Sequence, residues 1–212
     1  MRELSHARLF LTGSGGAGPL VPTVTHADDI SREARRAADH ALARRAYDGE
    51  RLATTQVVRR LLPRARNLVR YLAPGDRDTD DLAQAAMMEV LRSLGTFAGR
   101  STLEHWADRI VARQTRAAVA RRHRDEARVR ESAPALRLVR SSEAPSPYGM
   151  RRDLARALDD LPAPQRDAVV LFHVLGMTLP EVASETGASP DTAKSRIRLG
   201  LQKLRHALGD RS

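Results

Sequence analysis

LDDLPAPQRDAVVLFHVLGMTLPEVASETGASPDTAKSRIRLGLQKLRHAL, residues 158–208, is the stretch whose reading decides the fold. Its spacing predicts a helix, a turn, a short helix, a tight turn and a long basic helix. Pro180 fits the first turn of the short helix over residues 178–186, where a missing N–H costs nothing. Leu179, Val182 and Ala183 supply the three-and-four apolar spacing of that helix. Gly187 ends it, because glycine takes the left-handed conformation after a helix without steric cost. Ser189 then caps the next helix, with Pro190 at its first position. Ala193, Ile197, Leu201, Leu204 and Leu208 follow as one apolar stripe. At about 100° per residue the opposite face carries Asp191, Thr192, Ser195, Leu199 and Gln202, flanked by Lys194, Arg196 and Arg198. A solvated helix of an ordinary bundle would share the stripe. The capped short helix, the glycine turn and the basic outward face together favour a helix-turn-helix whose last helix enters a DNA major groove. There Arg and Lys reach phosphates or guanine edges, and Ser and Thr serve either.

Leu161, Pro162, Gln165, Arg166 and Leu171, then Gly176, Thr178, Glu181, Val182 and Ala183, then Gly187, Ser189, Thr192, Lys194, Ser195 and Arg196 form a denser pattern than a lone helix-turn-helix. Over about fifty residues this pattern resembles region 4 of sigma-70 family factors, especially the small extracytoplasmic-function (ECF) type. The resemblance implies recognition of the promoter −35 element by Asp191, Thr192, Lys194, Ser195, Arg196, Arg198 and Leu199. Many members carry Arg where this chain has Leu199, an outward apolar side chain that could meet a thymine methyl. Alternatively, reading rests on Lys194, Ser195, Arg196 and Arg198.

The rest of the chain is helical, so the expected fold class is all-α: two small helical domains joined by a flexible linker. Residues 1–27 hold GSGGAGPLVPT and little amphipathic pattern, which reads as a disordered extension. Its Gly-rich run lacks the Gly-Lys-Ser/Thr of a phosphate loop. The first domain is expected over 28–130, with helices near 28–47, 50–72, 79–94 and 103–122, and with Pro63 able to kink or break the second. Pro74, Gly75 and Asp76 make a turn. Pro134, Pro145 and Pro147 with several serines mark a linker over 131–149, and the second domain is expected over 150–212.

On the helix over 79–94, Ala83, Ala86, Met87, Val90 and Leu94 share one face, while Asp81, Ala85, Met88 and Arg92 fall opposite. An outward methionine between an acid and a base suits a protein interface, although one stray exposed Met would look the same. Arg109, Arg113 and Arg116 recur at i, i+4 and i+7, opposite Leu103, Ala107, Ile110 and Gln114. Arg121, Arg122, Arg124, Arg128 and Arg130 extend this stripe, with Asp125 and Glu126 as the intervening acids. Such a row is suited to tracking phosphates, with steep salt dependence.

Asp78, Asp81, Leu82, Gln84, Leu91, Phe97, Trp106, Arg109 and Ile110 also resemble region 2 of the same factors. That resemblance implies docking on the clamp helices of the RNA polymerase largest subunit, with Asp78, Asp81, Gln84, Met88 and Arg92 at the contact. It further implies recognition and melting of the −10 element by Phe97, Trp106, Arg109, Arg113 and Arg116. The loop GTFAGRST, residues 95–102, would hold a flipped base. Phe97 and Trp106 could stack on a base, or form the core of an aromatic-poor domain. Two departures are present: Ala85 stands where an acid is usual after the Gln, and Arg113 where Asn is usual.

Composition agrees with a polyanionic partner. Lys+Arg 36 against Asp+Glu 26 leaves a net charge of +10. With Cys 0 there are no disulfides or Cys-based zinc sites, which is compatible with a cytoplasmic location. No apolar run approaches a membrane span, and Leu9-Phe10-Leu11 is too short for a signal-peptide core. His6, His26, His40, His105, His123, His173 and His206 make no metal-ligand pair, and no Gly-x-Ser-x-Gly elbow is present. Asp159 and Asp160 read as helix-end chemistry. No cofactor, metal or catalytic group is expected.

The expectation is a sigma factor that directs promoter-specific initiation, with core RNA polymerase and promoter DNA as partners. Small factors of this type are commonly held by an anti-sigma factor. Two alternatives stay open: a stand-alone helix-turn-helix regulator, and a sigma-like antagonist that binds polymerase without initiating.

Overall fold

The computed structural model describes residues 26–74, 76, 78–132 and 152–209. The Gly-rich run, Gly75 and nearly all of the expected linker lie outside the described residues. Among the described residues the regular structure is entirely helical: α1 His26–Tyr47, α2 Arg51–Leu72, α3 Thr79–Ser93, α4 Leu103–Ser132, α5 Arg152–Asp159, α6 Ala163–Val169, α7 Leu179–Thr186 and α8 Pro190–Gly209. A 3₁₀ turn, Leu94–Thr96, follows α3, and α6 continues as a π turn over Val170–Val174. The chain divides after Ala34 into two units. The first is described by the opening turns of α1 alone. Everything below concerns the second, Arg35–Ser212.

α2, α3 and α4 pack pairwise around a core of aliphatic side chains. α2 buries Ala53, Val57, Leu61, Ala65, Leu68 and Leu72, spaced by four or three residues. α3 buries Leu82, Ala83, Ala86, Met87 and Val90, and Leu94 just beyond it. The expected face is therefore the buried one. Two acids in the first turn of α3, Asp80 and Asp81, suit the positive end of its dipole.

Two expectations are corrected. α2 runs unbroken through Pro63, which lies on its exposed side, where water can satisfy the carbonyl left without a partner. The buried face of α4 centres on Leu103, Ala107, Val111 and Thr115, so Ile110 and Gln114 are only half-buried. α4 also runs to Ser132, through the start of the expected linker, and α1 begins at His26, inside the expected extension.

The second bundle is built on α8, which packs against α5, α6 and α7. Ala193, Ile197 and Leu204 are buried as the stripe predicts, Leu201 partly, but Leu208 is exposed because the helix outruns its neighbours. Gly200 is buried where α8 crosses α6. A Cβ there would lie 2.7 Å from Val169 Cγ2 and 3.3 Å from the Gln165 carbonyl oxygen, so the crossing has no room for a side chain unless Val169 shifts.

The two bundles also touch one another. α5 packs on α2, and α4 meets α6 and α7 through side-chain ion pairs. A sequence reading of two domains on a linker did not anticipate this contact.

Candidate nucleic-acid interface

The helix-turn-helix forms from local signals. Thr178 precedes α7, and its N–H and hydroxyl both donate to Glu181 Oε2 at 2.9 Å, which fastens the first turn. Gly187 ends α7 with φ 62° and ψ 30°, the left-handed cap. Ser189 Oγ then accepts the Thr192 N–H at 3.2 Å at the start of α8. Asp191, Thr192, Lys194, Ser195, Arg198 and Leu199 are exposed on α8. Leu199 is 37% exposed, an apolar patch inside a polar and basic face. Arg196 differs from the other predicted readers: it is half-buried, and its charge acts on the Asp167 carboxyl of α6.

On α3 the predicted docking side chains Asp81, Gln84, Met88 and Arg92 are exposed together with Ala85. Met88 is 47% exposed, an unusual cost for a thioether facing water alone. Asp78 is engaged with Arg122 of α4 at 3.1 Å, and Arg92 lies 3.5 Å from Glu89.

Phe97 sits in the core, and its ring centroid is 5.3 Å from that of half-buried Trp106, tilted by 51°. In this conformation the pair braces the loop after α3, and Phe97 presents no face to a base.

Arg109, Arg113 and Arg116 do form one row, and each has a carboxylate of the second bundle as partner. Arg109 Nη1 donates to Glu181 Oε1 at 2.7 Å, and Arg113 Nη2 to Glu185 Oε1 at 3.0 Å. Arg116 Nε donates to Asp167 Oδ2 at 2.7 Å, while its Nη1 reaches the Glu185 carbonyl at 2.7 Å. Glu181 thus serves two partners. Its carboxyl is held below the usual carboxylate range by the Thr178 N–H first, then the Thr178 hydroxyl, with Arg109 adding to both. Burial pushes the Asp167 carboxyl up, and Arg116 only partly offsets this.

Sequence reasoning missed a buried ionic network that positions the row. Asp39 of α1, almost fully buried, accepts the Leu103 N–H at 2.9 Å and so caps α4 from a different helix. Its other oxygen lies 2.6 Å from Arg60, which also donates to Glu104 at 2.7 Å. Burial raises the Glu104 carboxyl, but the hydrogen bond from Arg60 and neighbouring charges outweigh it and the net direction is down. Arg64 grips buried Asp108 with two nitrogens, Nε 2.8 Å from Oδ1 and Nη2 2.6 Å from Oδ2. Burial nevertheless leaves the Asp108 carboxyl raised. No local pattern could have found these pairs, whose members lie 44 and 64 residues apart.

A family model described as Sigma-70, region 4 matches residues 151–204, and one described as Sigma-70 region 2 matches residues 57–125. The RNA polymerase sigma factor CarQ of Myxococcus xanthus is 32% identical over 166 residues, which cover 77% of this chain and 93% of that protein. The ECF RNA polymerase sigma-E factor of Escherichia coli K12 is 29% identical over 170 residues, 75% of this chain and 88% of its own length. Among solved structures, CnrH in complex with the cytosolic domain of CnrY is similar with a TM-score of 0.53 and 25% identity, over 82% of this chain and 99% of that one. The sigma factor RpoE in complex with the anti-sigma factor NepR, from Bartonella quintana, has a TM-score of 0.59 at 24% identity. It covers 75% of this chain and 98% of that one, a likeness of fold. Among the described residues, no helix is long and apolar enough to cross a membrane.

Proposed function

The chain belongs to the sigma-70 family of RNA polymerase sigma factors, in its ECF group, which direct transcription initiation with RNA polymerase; from that premise we propose how its residues divide the work. The first domain, residues 28–130, docks on the largest-subunit clamp helices through Asp81, Gln84, Met88 and Arg92, with Asp78 at the edge. The same domain engages the −10 element through Arg109, Arg113, Arg116 and Trp106. The second domain, residues 150–212, lays α8 in the major groove of the −35 element and reads it with Asp191, Thr192, Lys194, Ser195, Arg198 and Leu199. Arg196 completes this set from the flank of α8, where it is half-buried.

The observation that carries this reading is that two unlike surfaces are both exposed: the polar and basic face of α8, and the acid–Met–base face of α3. A stand-alone regulator needs only the first of them. Each domain's contact is weak alone, and tethering lets the two add through effective concentration. The chain carries out no covalent chemistry, because the polymerase supplies the active site. It works in the cytoplasm, where polymerase and promoter are. Both solved neighbours above are complexes, one with a chain named an anti-sigma factor and the other with the cytosolic domain of CnrY. This supports a protein of that kind as a further partner.

The test is reconstituted transcription. The chain with core polymerase should give initiated transcripts from a genomic promoter, and neither component alone should. Binding to core without transcripts would establish the antagonist reading instead. Binding to a DNA operator without ever joining core would overturn the sigma reading.

A further inference from the structure

Two glycines of the loop over residues 95–102 lie against α1. Gly95 sits in the 3₁₀ turn after α3 and lacks the positive φ that would call for glycine. The reason for it is Tyr47, the last residue of α1: a Cβ on Gly95 would lie 2.8 Å from both Cε2 and Cζ of that ring. Farther along the loop, a Cβ on Gly99 would lie 3.3 Å from His40 Cβ, and the His40 ring centroid is 6.4 Å from that of Phe97. Arg36, His40 and Tyr47 follow at spacings of four and seven, so they share one face of α1, and all three are exposed. Tyr47 is 54% exposed, a ring that touches the loop and still meets solvent. Arg35, Arg44 and Arg45 of the same helix pair with Glu104, Asp48 and Glu50. Arg36 has no ion pair among the described residues. An open ring and an unpaired cation on one face are the parts of a single-strand site, because rings stack on bases and cations follow the phosphates. Phe97 is buried and offers no such face.

We propose that this face of α1 is a second wall of the −10 strand site, with Tyr47 stacking on one base and Arg36 contacting a phosphate. A base turned out of the melted strand lies on the exposed side of the Tyr47 ring, and the strand runs along α1 toward Arg36. The stack holds whichever base stands there, since every base has a π face. Gly95 keeps the ring in position: any side chain at that point forces the tip of Tyr47 aside. The wall adds to the contacts of α4 and takes nothing from the exposed faces of α3 and α8. This rests on the assignment of the first domain and its loop to −10 DNA made above.

The test uses the full chain with core polymerase and a dye-labelled single strand carrying the −10 element of a promoter, read by fluorescence anisotropy. A parallel set of strands has one −10 base at a time removed to leave an abasic site. Tyr47→Ala should weaken binding to the intact strand about tenfold, the worth of one base–aromatic stack, and leave binding to one of the abasic strands unchanged. Tyr47→Phe keeps the ring and should restore binding. Gly95→Ala leaves the ring in the chain but displaces it, so it should repeat the Tyr47→Ala pattern at the same base and add nothing to it in the double variant. Arg36→Gln should make the salt dependence shallower by about 0.7 in the log–log slope, the share of one single-strand phosphate. Equal weakening on the intact strand and on every abasic strand would mean that Tyr47 only braces the loop, and it overturns the stack. Unchanged binding by both Tyr47→Ala and Gly95→Ala overturns it too, and an unaltered slope removes Arg36 from the wall. If the wild-type chain with core holds the strand no more tightly than core alone, the −10 assignment itself fails and the wall falls with it.

Discussion

Asp39→Ala should unseat the helix that carries the arginine row. Asp39 is 2% exposed, and it performs two tasks at once. One oxygen accepts the Leu103 N–H at 2.9 Å, and the other lies 2.6 Å from Arg60. Leu103 is fully buried, so water cannot replace the lost acceptor. A buried donor left unsatisfied costs about 1–3 kcal/mol, which already includes the roughly 1 kcal/mol of an ordinary N-cap. Arg60 keeps Glu104 at 2.7 Å, so the lost charge contact adds only about 1 kcal/mol. The total is about 2–4 kcal/mol. For a chain of this size that lowers Tm by roughly 5–15 °C. Asp39→Asn keeps an oxygen for Leu103 but loses the charge, and should fall about midway. Thermal unfolding followed by circular dichroism gives the stability, and amide exchange at the start of α4 locates the damage. A loss below about 0.5 kcal/mol for Asp39→Ala would refute the capping argument. So would exchange that accelerates everywhere except around Leu103.

Three further outcomes are expected. Gly200→Ala would ordinarily gain about 1 kcal/mol of helix propensity, yet a Cβ there meets Val169 Cγ2 at 2.7 Å and should cost about 1–3 kcal/mol of overpacking. The variant should be less stable than the wild type in urea unfolding and recover with Val169→Ala; a more stable Gly200→Ala variant would mean the two helices separate freely. Glu181 has its carboxyl lowered, so its contribution is complete at neutral pH and is lost as pH falls through the carboxylate range. The stability gap between wild type and Glu181→Gln should therefore close on acidification, and a gap that widens would contradict the assignment. If Leu199 meets a thymine methyl, uracil in place of thymine at that −35 position should weaken binding about fourfold, the worth of one buried methyl, and Leu199→Ala should erase the difference.

The helix-turn-helix was legible residue by residue, because each signal is local. Gly187, Ser189 and the α8 stripe as far as Leu204 act within a turn or two of themselves, and the structure has them as the spacing predicts. The two faces of α3 were legible for the same reason, since a period of about 3.6 residues sorts side chains without reference to anything else. Leu208 was misplaced because periodicity says which way a residue points, not whether a neighbour is there to cover it. Gly200 passed unnoticed because a glycine inside a helix carries no sign of what crosses it. Arg196 lies on the flank of the same wheel, and there it is half-buried.

By itself the sequence determined the helices, their caps, their apolar sides and the family to which the chain belongs, all properties of residues near one another along the chain. Only the tertiary structure decided what the charges do. An arginine row at helical spacing suits phosphate and carboxylate equally well, and composition cannot choose between them. The choice falls to groups 51 and 72 residues away, Asp167, Glu181 and Glu185. Because Coulomb attraction and hydrogen-bond geometry depend on separation in space and not along the chain, folding brings those carboxylates to the row.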